Sequence, residues 1–283
     1  MSLRGMFGGW TIAGLILVIL ALIWVLAIFP MLSKLPSDLS ETTNFEGTYT
    51  VMDPTTQMPE VIPVNVTRYY EATGTEDSVL ILHQTVTTTH ADYGIELPQF
   101  GLEETLGVDR TTREYVAGYG DMDRTGQFSA PSDLEQESYQ LWNPTAMTDL
   151  EAKFVAEEEF EGLKVYAFQV DETGFDIGTQ AGTGLPQVLD TTINLKVEPV
   201  TGTTVYSASI TTIKIVMVPG MEMTVYESDI HFTDDTIADL VDKASSGRTM
   251  LLWGSVYGFW IVIGLGIALM LVGVVVNIRG RTE

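Results

Sequence analysis

Two long uncharged runs, one near each end of the chain, most strongly limit what this sequence can fold into. No charged residue occurs from Gly5 to Ser33, which is 29 positions, or from Thr249 to Ile278, which is 30 positions. A helix rises about 1.5 Å per residue, so each run is long enough to cross a hydrocarbon core of about 30 Å. The sequence therefore predicts two transmembrane helices, at residues 7–32 and 250–276.

The first run is predicted to be an uncleaved anchor. It is too long for the apolar part of a signal peptide, and the residues at its end, PMLSKLP, offer no small-x-small cleavage site. Two crossings place both chain ends on one side of the membrane. Because the short tails are basic, we expect residues 1–6 and 277–283 to be cytoplasmic and the middle of the chain to be extracellular.

The middle of the chain is strongly acidic. It contains every acidic residue except Glu283 but only nine of the 14 basic ones, which gives it a net charge of −28. Such a surface repels nucleic acid and attracts cations or basic groups, so no nucleic-acid partner is expected. The chain has no cysteine, which excludes disulfides and thiol chemistry.

Residues 36–232 are predicted to form an antiparallel, curved β-sheet. The clearest hairpin is TINLKVEPVTGTTVYSASI, in which apolar and polar residues alternate on either side of a turn at residues 199–202. Lys196 and Glu198 are expected to face water. One apolar side is expected to face the core, and it consists of Ile193, Leu195, Val197, Tyr206, Ala208 and Ile210.

One amphipathic helix is predicted at residues 233–247, directly before the second apolar run. Thr233 or Asp234 is suited to cap its first turn, and Gly247 is suited to the position just after its end. Its apolar face, spaced by three and four residues, consists of Ile237, Leu240, Val241 and Ala244.

The residue pattern predicts no enzyme, no catalytic or metal-binding residue and no cofactor. The three histidines, His83, His90 and His231, lack the spacing of a zinc site, and His83 and His90 would lie on opposite faces of a strand. No nucleophile elbow, phosphate loop or dinucleotide fingerprint occurs.

A calcium loop is the one faint metal signal, in DMDRTGQFSAPSD. Asp121, Asp123 and Thr125 with Gly126 match the start of such a loop, but its twelfth position is Ser132 rather than an acid. A polar surface turn is the alternative interpretation.

Asn65 begins a glycosylation sequon, Asn65-Val66-Thr67, which matters only if the domain lies outside the cell. The similar triplet Asn143-Pro144-Thr145 is barred by its proline.

Small residues in the second apolar run indicate close helix packing. Gly264 and Ala268 form a small-xxx-small pair, and Gly266 and Gly273 lie seven residues apart. Packing between the two helices of one chain is favoured over association of copies.

Several motifs, in order, resemble those of the porin PorA family, which comprises actinobacterial and archaeal membrane proteins with a domain of unknown function. The resemblance covers most of the chain. It implies a membrane protein with an extracytoplasmic domain, and it transfers no catalytic residue. The similar segments are PMLSKLP, VDRTTREYVAG, LWNPTAMTDLEAKFVAEEEFEGLKVYAF, TTINLKVEPVTGTTVYS and FTDDTIADLVDKASSGRTMLLWG. More locally, the VEPVTG turn resembles that of bacterial lipoprotein and lipid carriers, whose curved sheet surrounds an apolar cavity.

Two functional hypotheses follow. The first is a non-enzymatic cell-envelope protein whose acidic domain binds an envelope component, either a lipid or a protein. The alternative is an oligomeric channel or a transporter accessory protein. A β-barrel pore would have no membrane helices, and two helices without an ionisable residue enclose no channel, so a pore requires several copies.

Overall fold

The computed structural model describes residues 9–53, 56, 58–218 and 220–279, without the side chains of residues 31 and 32. The chain divides into two compact units, a helical unit up to Lys34 and from Ser246 onward, and a sheet unit from Leu35 to Ser245. The tail predicted at residues 1–6 lies outside the described residues, as do residues 280–283 of the tail predicted at 277–283.

Helices occupy both apolar runs. The N-terminal run forms α1 (Gly9–Ile23), a π-helical turn (Trp24–Ile28) and α2 (Phe29–Leu32). The C-terminal run is preceded by α3 (Asp234–Leu252) and forms a π-helical turn (Trp253–Tyr257) and α4 (Gly258–Arg279). The helices at Gly9–Ile28 and Asp234–Arg279 are long and apolar enough to cross a membrane. Two long apolar terminal helices were predicted, and the structure has them.

The predicted amphipathic helix does not end at Gly247. Helical structure continues from Asp234 to Arg279 over 46 residues, so the segments predicted at 233–247 and 250–276 are not separate helices. Glycine inside a helix costs only about 1 kcal/mol and ends it only where the chain turns left-handed or proline follows, and no proline follows here. The predicted cap is present, because Thr233 Oγ1 accepts the Thr236 N–H at 3.3 Å.

Ten antiparallel strands form one curled sheet, a half-barrel, in the order β4-β3-β2-β1-β10-β9-β8-β7-β6-β5. The first and last strands along the chain pair with each other in the middle of the sheet. The strands are β1 (Ser40–Met52), β2 (Pro59–Glu76), β3 (Val79–His90), β4 (Leu102–Asp109), β5 (Tyr139–Asn143), β6 (Thr148–Phe160), β7 (Leu163–Thr179), β8 (Pro186–Glu198), β9 (Thr203–Val218) and β10 (Met221–Phe232).

The β4–β5 connection, residues 110–138, supplies side chains to two parts of the core. Tyr115 and Phe128 pack against buried leucines of β3 and β4. Leu134 is itself buried in a second cluster with residues of β6, β7 and β8. The space that the sheet curls around at these two places is therefore occupied by the protein's own side chains.

The same connection links the two edge strands of the sheet. An edge strand otherwise presents unpaired N–H and C=O groups that can pair with another chain. Short segments around residues 114–116 and 126–127 satisfy part of both edges. The linking bonds run from Val116 N–H to Gly107 O (2.9 Å), from Tyr115 N–H to Gly126 O (3.0 Å) and from Gln127 N–H to Gln140 O (2.7 Å).

The predicted hairpin forms, as β8 and β9 with the turn at residues 199–202, but its two faces differ from the prediction. The strand register shifts between Lys196 and Val197, so that Lys196 pairs with Tyr206 and Leu195 pairs with Ser207. Tyr206 therefore lies on the opposite face from Leu195, and Ile210, which shares the face of Tyr206, is half exposed.

Apolar groups cover both faces of this hairpin. Val197 packs in the cluster that contains Leu134, whereas Val205 packs with Leu240 and Ala244 of α3. The expectation that Glu198 faces water is also wrong, since only 1% of its surface is exposed. The change of face at Tyr206 is caused by the β-bulge at the register shift, which the alternation of residues in the sequence cannot reveal.

Candidate functional site

In the predicted calcium loop, the carboxylates accept hydrogen bonds from the protein itself. Asp121 accepts from Arg124 Nη1 at 2.8 Å and from the Thr105 N–H at 3.2 Å. Asp123 accepts from the Gly118 N–H at 2.9 Å. Within residues 9–53, 56, 58–218 and 220–279, no three histidine or acidic side chains are grouped closely enough to hold a metal ion. The arrangement matches the alternative of a polar turn.

Arg124 is the centre of this loop, and the sequence analysis did not single it out. Its side chain is 2% exposed, and Nη2 donates to Glu104 Oε2 at 2.6 Å. Burial opposes the charge of this guanidinium, but the hydrogen bonds that it donates to Asp121 and Glu104, together with their negative charges, outweigh burial and raise the pKa of Arg124. Burial likewise opposes ionisation of Asp121, yet the Arg124 hydrogen bond lowers the pKa of that carboxyl. The positive charge beside the carboxylates of this loop is therefore the guanidinium of Arg124.

A line of polar side chains continues from Glu104 across β3 to β2. Gln84 Nε2 donates to Glu104 Oε1 at 2.7 Å, and Arg68 Nε donates to Gln84 Oε1 at 2.8 Å. The Arg68 guanidinium also lies over the rings of Tyr70 and Phe128, 5.6 and 5.8 Å from their centroids. These contacts satisfy polar groups between strands, and they contain no nucleophile with a base beside it.

The VEPVTG turn is anchored by Arg113, which is also buried. Arg113 Nη2 donates to the Thr201 carbonyl at 2.9 Å, and Nη1 donates to the Ala130 carbonyl. Burial lowers the pKa of Arg113 to about 10. Gly202 has φ +70°, and a Cβ there would lie 2.4 Å from the Ala130 carbonyl oxygen. Turn and loop therefore approach too closely for any residue except glycine.

Glu198 belongs to the same anchor. Its Oε2 accepts from the N–H and from the hydroxyl of Thr201, each at 2.8 Å. This explains why an acidic residue is buried at the end of β8. The hairpin is thus joined to the 110–138 connection by main-chain and side-chain bonds, and its motif is a structural one.

Two polar grooves lie beside the start of α3. The larger, about 460 Å³, contains Glu46, Asp234 and Asp235 but no basic side chain, and it is also lined by Asn44, Phe45, Asn65, Val66, Thr67 and Thr233. The smaller, about 210 Å³, shares Asn44 and Asp235 with it and includes Lys243. Both are open to solvent, and neither is an enclosed apolar cavity of the kind that a lipid carrier requires.

The remaining singled-out residues are dispersed over the sheet. Asn65 is exposed on β2 and lines the larger groove, whereas Asn143 is buried. His83 lies 3.5 Å from Glu103, His231 lies 3.6 Å from Glu46, and His90 packs against the ring of Tyr93. The structure brings none of the three histidines together with another.

Small residues join α1 to α4 within the chain. A Cβ on Gly266 would lie 2.9 Å from the Gly14 carbonyl oxygen, and one on Gly273 would lie 2.6 Å from the Thr11 nitrogen. Trp24 Nε1 also donates to the Gly254 carbonyl at 2.8 Å. Gly264 and Ala268, by contrast, are exposed on α4. The packing predicted within one chain is present for Gly266 and Gly273.

Comparison with known proteins identifies a family for the chain. No curated protein matches it significantly. The family model described as Porin PorA matches residues 10–275, nearly the whole chain. The chain therefore belongs to the Porin PorA family.

Proposed function

We propose that the chain is a non-enzymatic protein of the cell envelope, anchored by two membrane-spanning helices with both ends in the cytoplasm. The observation that carries this proposal is the outer surface of the helix pair. Large apolar side chains are exposed along it, including Trp10, Leu26, Leu265 and Leu271. Exposed apolar surface of this extent, on helices long enough to span a bilayer, supports a lipid environment.

We further propose that the sheet unit lies outside the cell and binds an envelope component, a lipid or a protein, on its surface. Residues of the 110–138 connection fill the core that a carrier would keep open, which favours surface binding over carriage within the sheet. The carboxylates of Asp121, Asp123 and Glu198 accept hydrogen bonds that hold a loop and a turn in place, which supports a non-enzymatic role.

Topology is tested by introducing single cysteines, because the native chain has none. Ser138→Cys, at an exposed position of the sheet unit, should react with an impermeant thiol reagent in intact cells. Ser2→Cys in the N-terminal tail should react only after lysis. The opposite labelling pattern would overturn the proposed orientation.

Binding is tested by native mass spectrometry of the full-length protein extracted together with its surrounding membrane. A lipid or protein should remain bound at a stoichiometric ratio through successive exchanges of the solubilising agent. Loss of every component to below that ratio, with the protein still folded, would contradict the proposed binding role.

A channel formed by several copies is the second candidate, favoured by the family's name and by the exposed pair Gly264 and Ala268. Small residues on an exposed helix face allow close approach of another helix. Under this proposal, conductance in a planar bilayer appears only with oligomers and is abolished by Gly264→Leu. An oligomer that forms but does not conduct would exclude the channel.

A further inference from the structure

The exposed apolar residues of the sheet unit are concentrated at one end of the sheet. Because the strands are antiparallel, the β1–β2, β3–β4, β5–β6, β7–β8 and β9–β10 connections all lie at the same end. Of the 13 large apolar side chains seen exposed on the described residues of this unit, ten lie in these connections or within three residues of a strand end there. The chain enters β1 and leaves β10 at the other end.

Six of these side chains lie on neighbouring connections, and we call them the apolar rim. They are Met58 and Val61, Tyr93 and Ile95, and Val218 and Met221. β3, β2, β1, β10 and β9 are consecutive in the sheet, so the three connections are adjacent. Each rim side chain is more than half exposed, from 53% for Val218 to 73% for Tyr93.

Local hydrogen bonds hold part of the rim in place. In the β3–β4 connection the His90 N–H donates to the Ile95 carbonyl at 2.8 Å, and the Gly94 N–H donates to the His90 carbonyl at 2.8 Å. The Tyr93 ring packs against the His90 ring, with centroids 4.5 Å apart. Tyr93 and Ile95 are therefore presented outward by an ordered turn, which lowers the entropy lost when they bind.

We propose that the apolar rim binds a lipid surface by inserting these side chains among the lipids. The rim consists of only six exposed side chains, two on each of three adjacent connections, and the two polar grooves lie elsewhere, around residues 41–46, 65–67 and 233–243. A stable protein partner needs a continuous complementary surface of about 800 Å². A fluid lipid interface accepts separate apolar side chains without a matching shape.

The charge around the rim indicates which lipids suit it. Among the described residues of the three connections, Asp53, Asp92 and Glu96 are acidic and none is basic. Anionic headgroups would be repelled by these acids and by the domain's net charge, so the expected surface is zwitterionic. This inference rests on the proposed function, because it identifies the bound envelope component as lipid.

The experiment uses the full-length protein in nanodiscs, mixed with separate phosphatidylcholine vesicles and analysed by flotation. The rim variant carries Val61→Ser, Ile95→Ser and Met221→Ser, one change on each connection. The matched control carries Val155→Ser, Ile210→Ser and Met122→Ser, which are the same residue types exposed elsewhere on the unit. All six side chains are exposed, so both variants should fold, and thermal unfolding verifies this.

Wild type and control should bind the vesicles, and the rim variant should bind at least about tenfold more weakly. Phosphatidylglycerol in the vesicles should weaken wild-type binding. Absence of wild-type binding, or equal loss in the control, would overturn the inference. Pairing of nanodiscs with each other through the rim, without vesicle binding, would also overturn it in favour of a second copy of the chain.

The two proposals fail in different ways. If vesicles are not bound but native mass spectrometry finds a stoichiometric protein, only the lipid inference fails. If neither vesicles nor any retained component is found, both fail.

Discussion

Replacing Glu104 with glutamine tests whether Arg124, rather than a calcium ion, organises the 118–128 loop. Glu104 is 12% exposed and accepts from Arg124 at 2.6 Å, so Glu104→Gln leaves the buried guanidinium with one charged partner, Asp121, which is itself 43% exposed. Removing one member of a buried ion pair costs about 3–5 kcal/mol, and the remaining Asp121 bond favours the lower end of that range. We expect a loss of about 3 kcal/mol in the free energy of unfolding.

The matched control is the neighbouring residue. Glu103 is 75% exposed and lies 3.5 Å from His83, so Glu103→Gln should cost less than about 0.5 kcal/mol. For a unit of this size, about 3 kcal/mol corresponds to a fall in Tm of about 6–12 °C. Urea and thermal unfolding of the protein in nanodiscs can follow Trp142, whose ring lies 6.0 Å from the Arg124 guanidinium. Equal effects of the two substitutions would refute the proposed role of Arg124.

Calcium provides an independent arm of this test. A loop that bound calcium with a Kd of about 10 µM would gain about 2.7 kcal/mol in 1 mM calcium, a rise in Tm of several degrees. We expect no rise, because Asp121 and Asp123 already accept hydrogen bonds from the chain. A rise in the wild type that Asp121→Asn abolishes would restore the calcium interpretation.

Three further predictions concern other parts of the chain. Gly266→Ala should destabilise the helix pair by up to about 2 kcal/mol in SDS-induced unfolding, because the added Cβ would lie 2.8 Å from Val18 Cγ2. The control Gly264→Ala, whose Cβ would have nothing within 4 Å, should stabilise the helix by up to about 1 kcal/mol. Equal effects of the two substitutions would contradict the packing. The Lys214 hydrogen bond lowers the pKa of Asp190 from 3.8, so Asp190 should contribute about 1 kcal/mol of stability above pH 4. This contribution should be lost as the pH falls through the folded pKa. The stabilities of the wild type and of Asp190→Asn, measured against pH, should therefore converge in acid rather than stay parallel. In microsomes, one glycan should be added and Asn65→Gln should remove it, since Asn65 is exposed; an unglycosylated wild type would count against translocation of the sheet unit.

The terminal helices and the existence of the β8–β9 hairpin were predictable because their signals are local. Thirty uncharged positions or a regular alternation around Gly202 need no knowledge of distant residues. The capping role of Thr233 is of the same kind, since its hydroxyl bonds three residues away. Such features depend on spacing along the chain, which the sequence states directly.

The anchoring groups were not predictable, because their partners are distant in sequence. Arg113 bonds to Thr201, 88 residues away, and Arg124 bonds to Glu104, 20 residues away. In the sequence, each is one arginine in a polar loop. The acid pattern at Asp121 and Asp123 suggested a calcium site because nothing local reveals that an arginine of the same loop folds back onto Asp121.

The hairpin faces were mispredicted for a related reason. The register shift beside Lys196 moves Tyr206 to the other face, and the α3 side chains that cover Val205 come from a later part of the chain. Alternation gave no sign that both faces would be covered. The burial of Glu198 follows from the turn that it stabilises, through bonds to Thr201.

The pairing of β1 with β10 has a consequence for biosynthesis. Phe45 is paired with Phe232, about 190 residues later, and these strands lie in the middle of the sheet. The ribosome therefore releases β1 to β4 and β5 to β9 as two hairpin arrays, and β1 has no partner on its other edge until β10, which lies between β1 and β9, has been made. Closing so long a loop is slow, and strands with an unpaired edge are prone to aggregate until β1 and β10 have paired. A nascent chain stalled before residue 221 should consequently expose the edge of β1 and depend on chaperones to remain soluble.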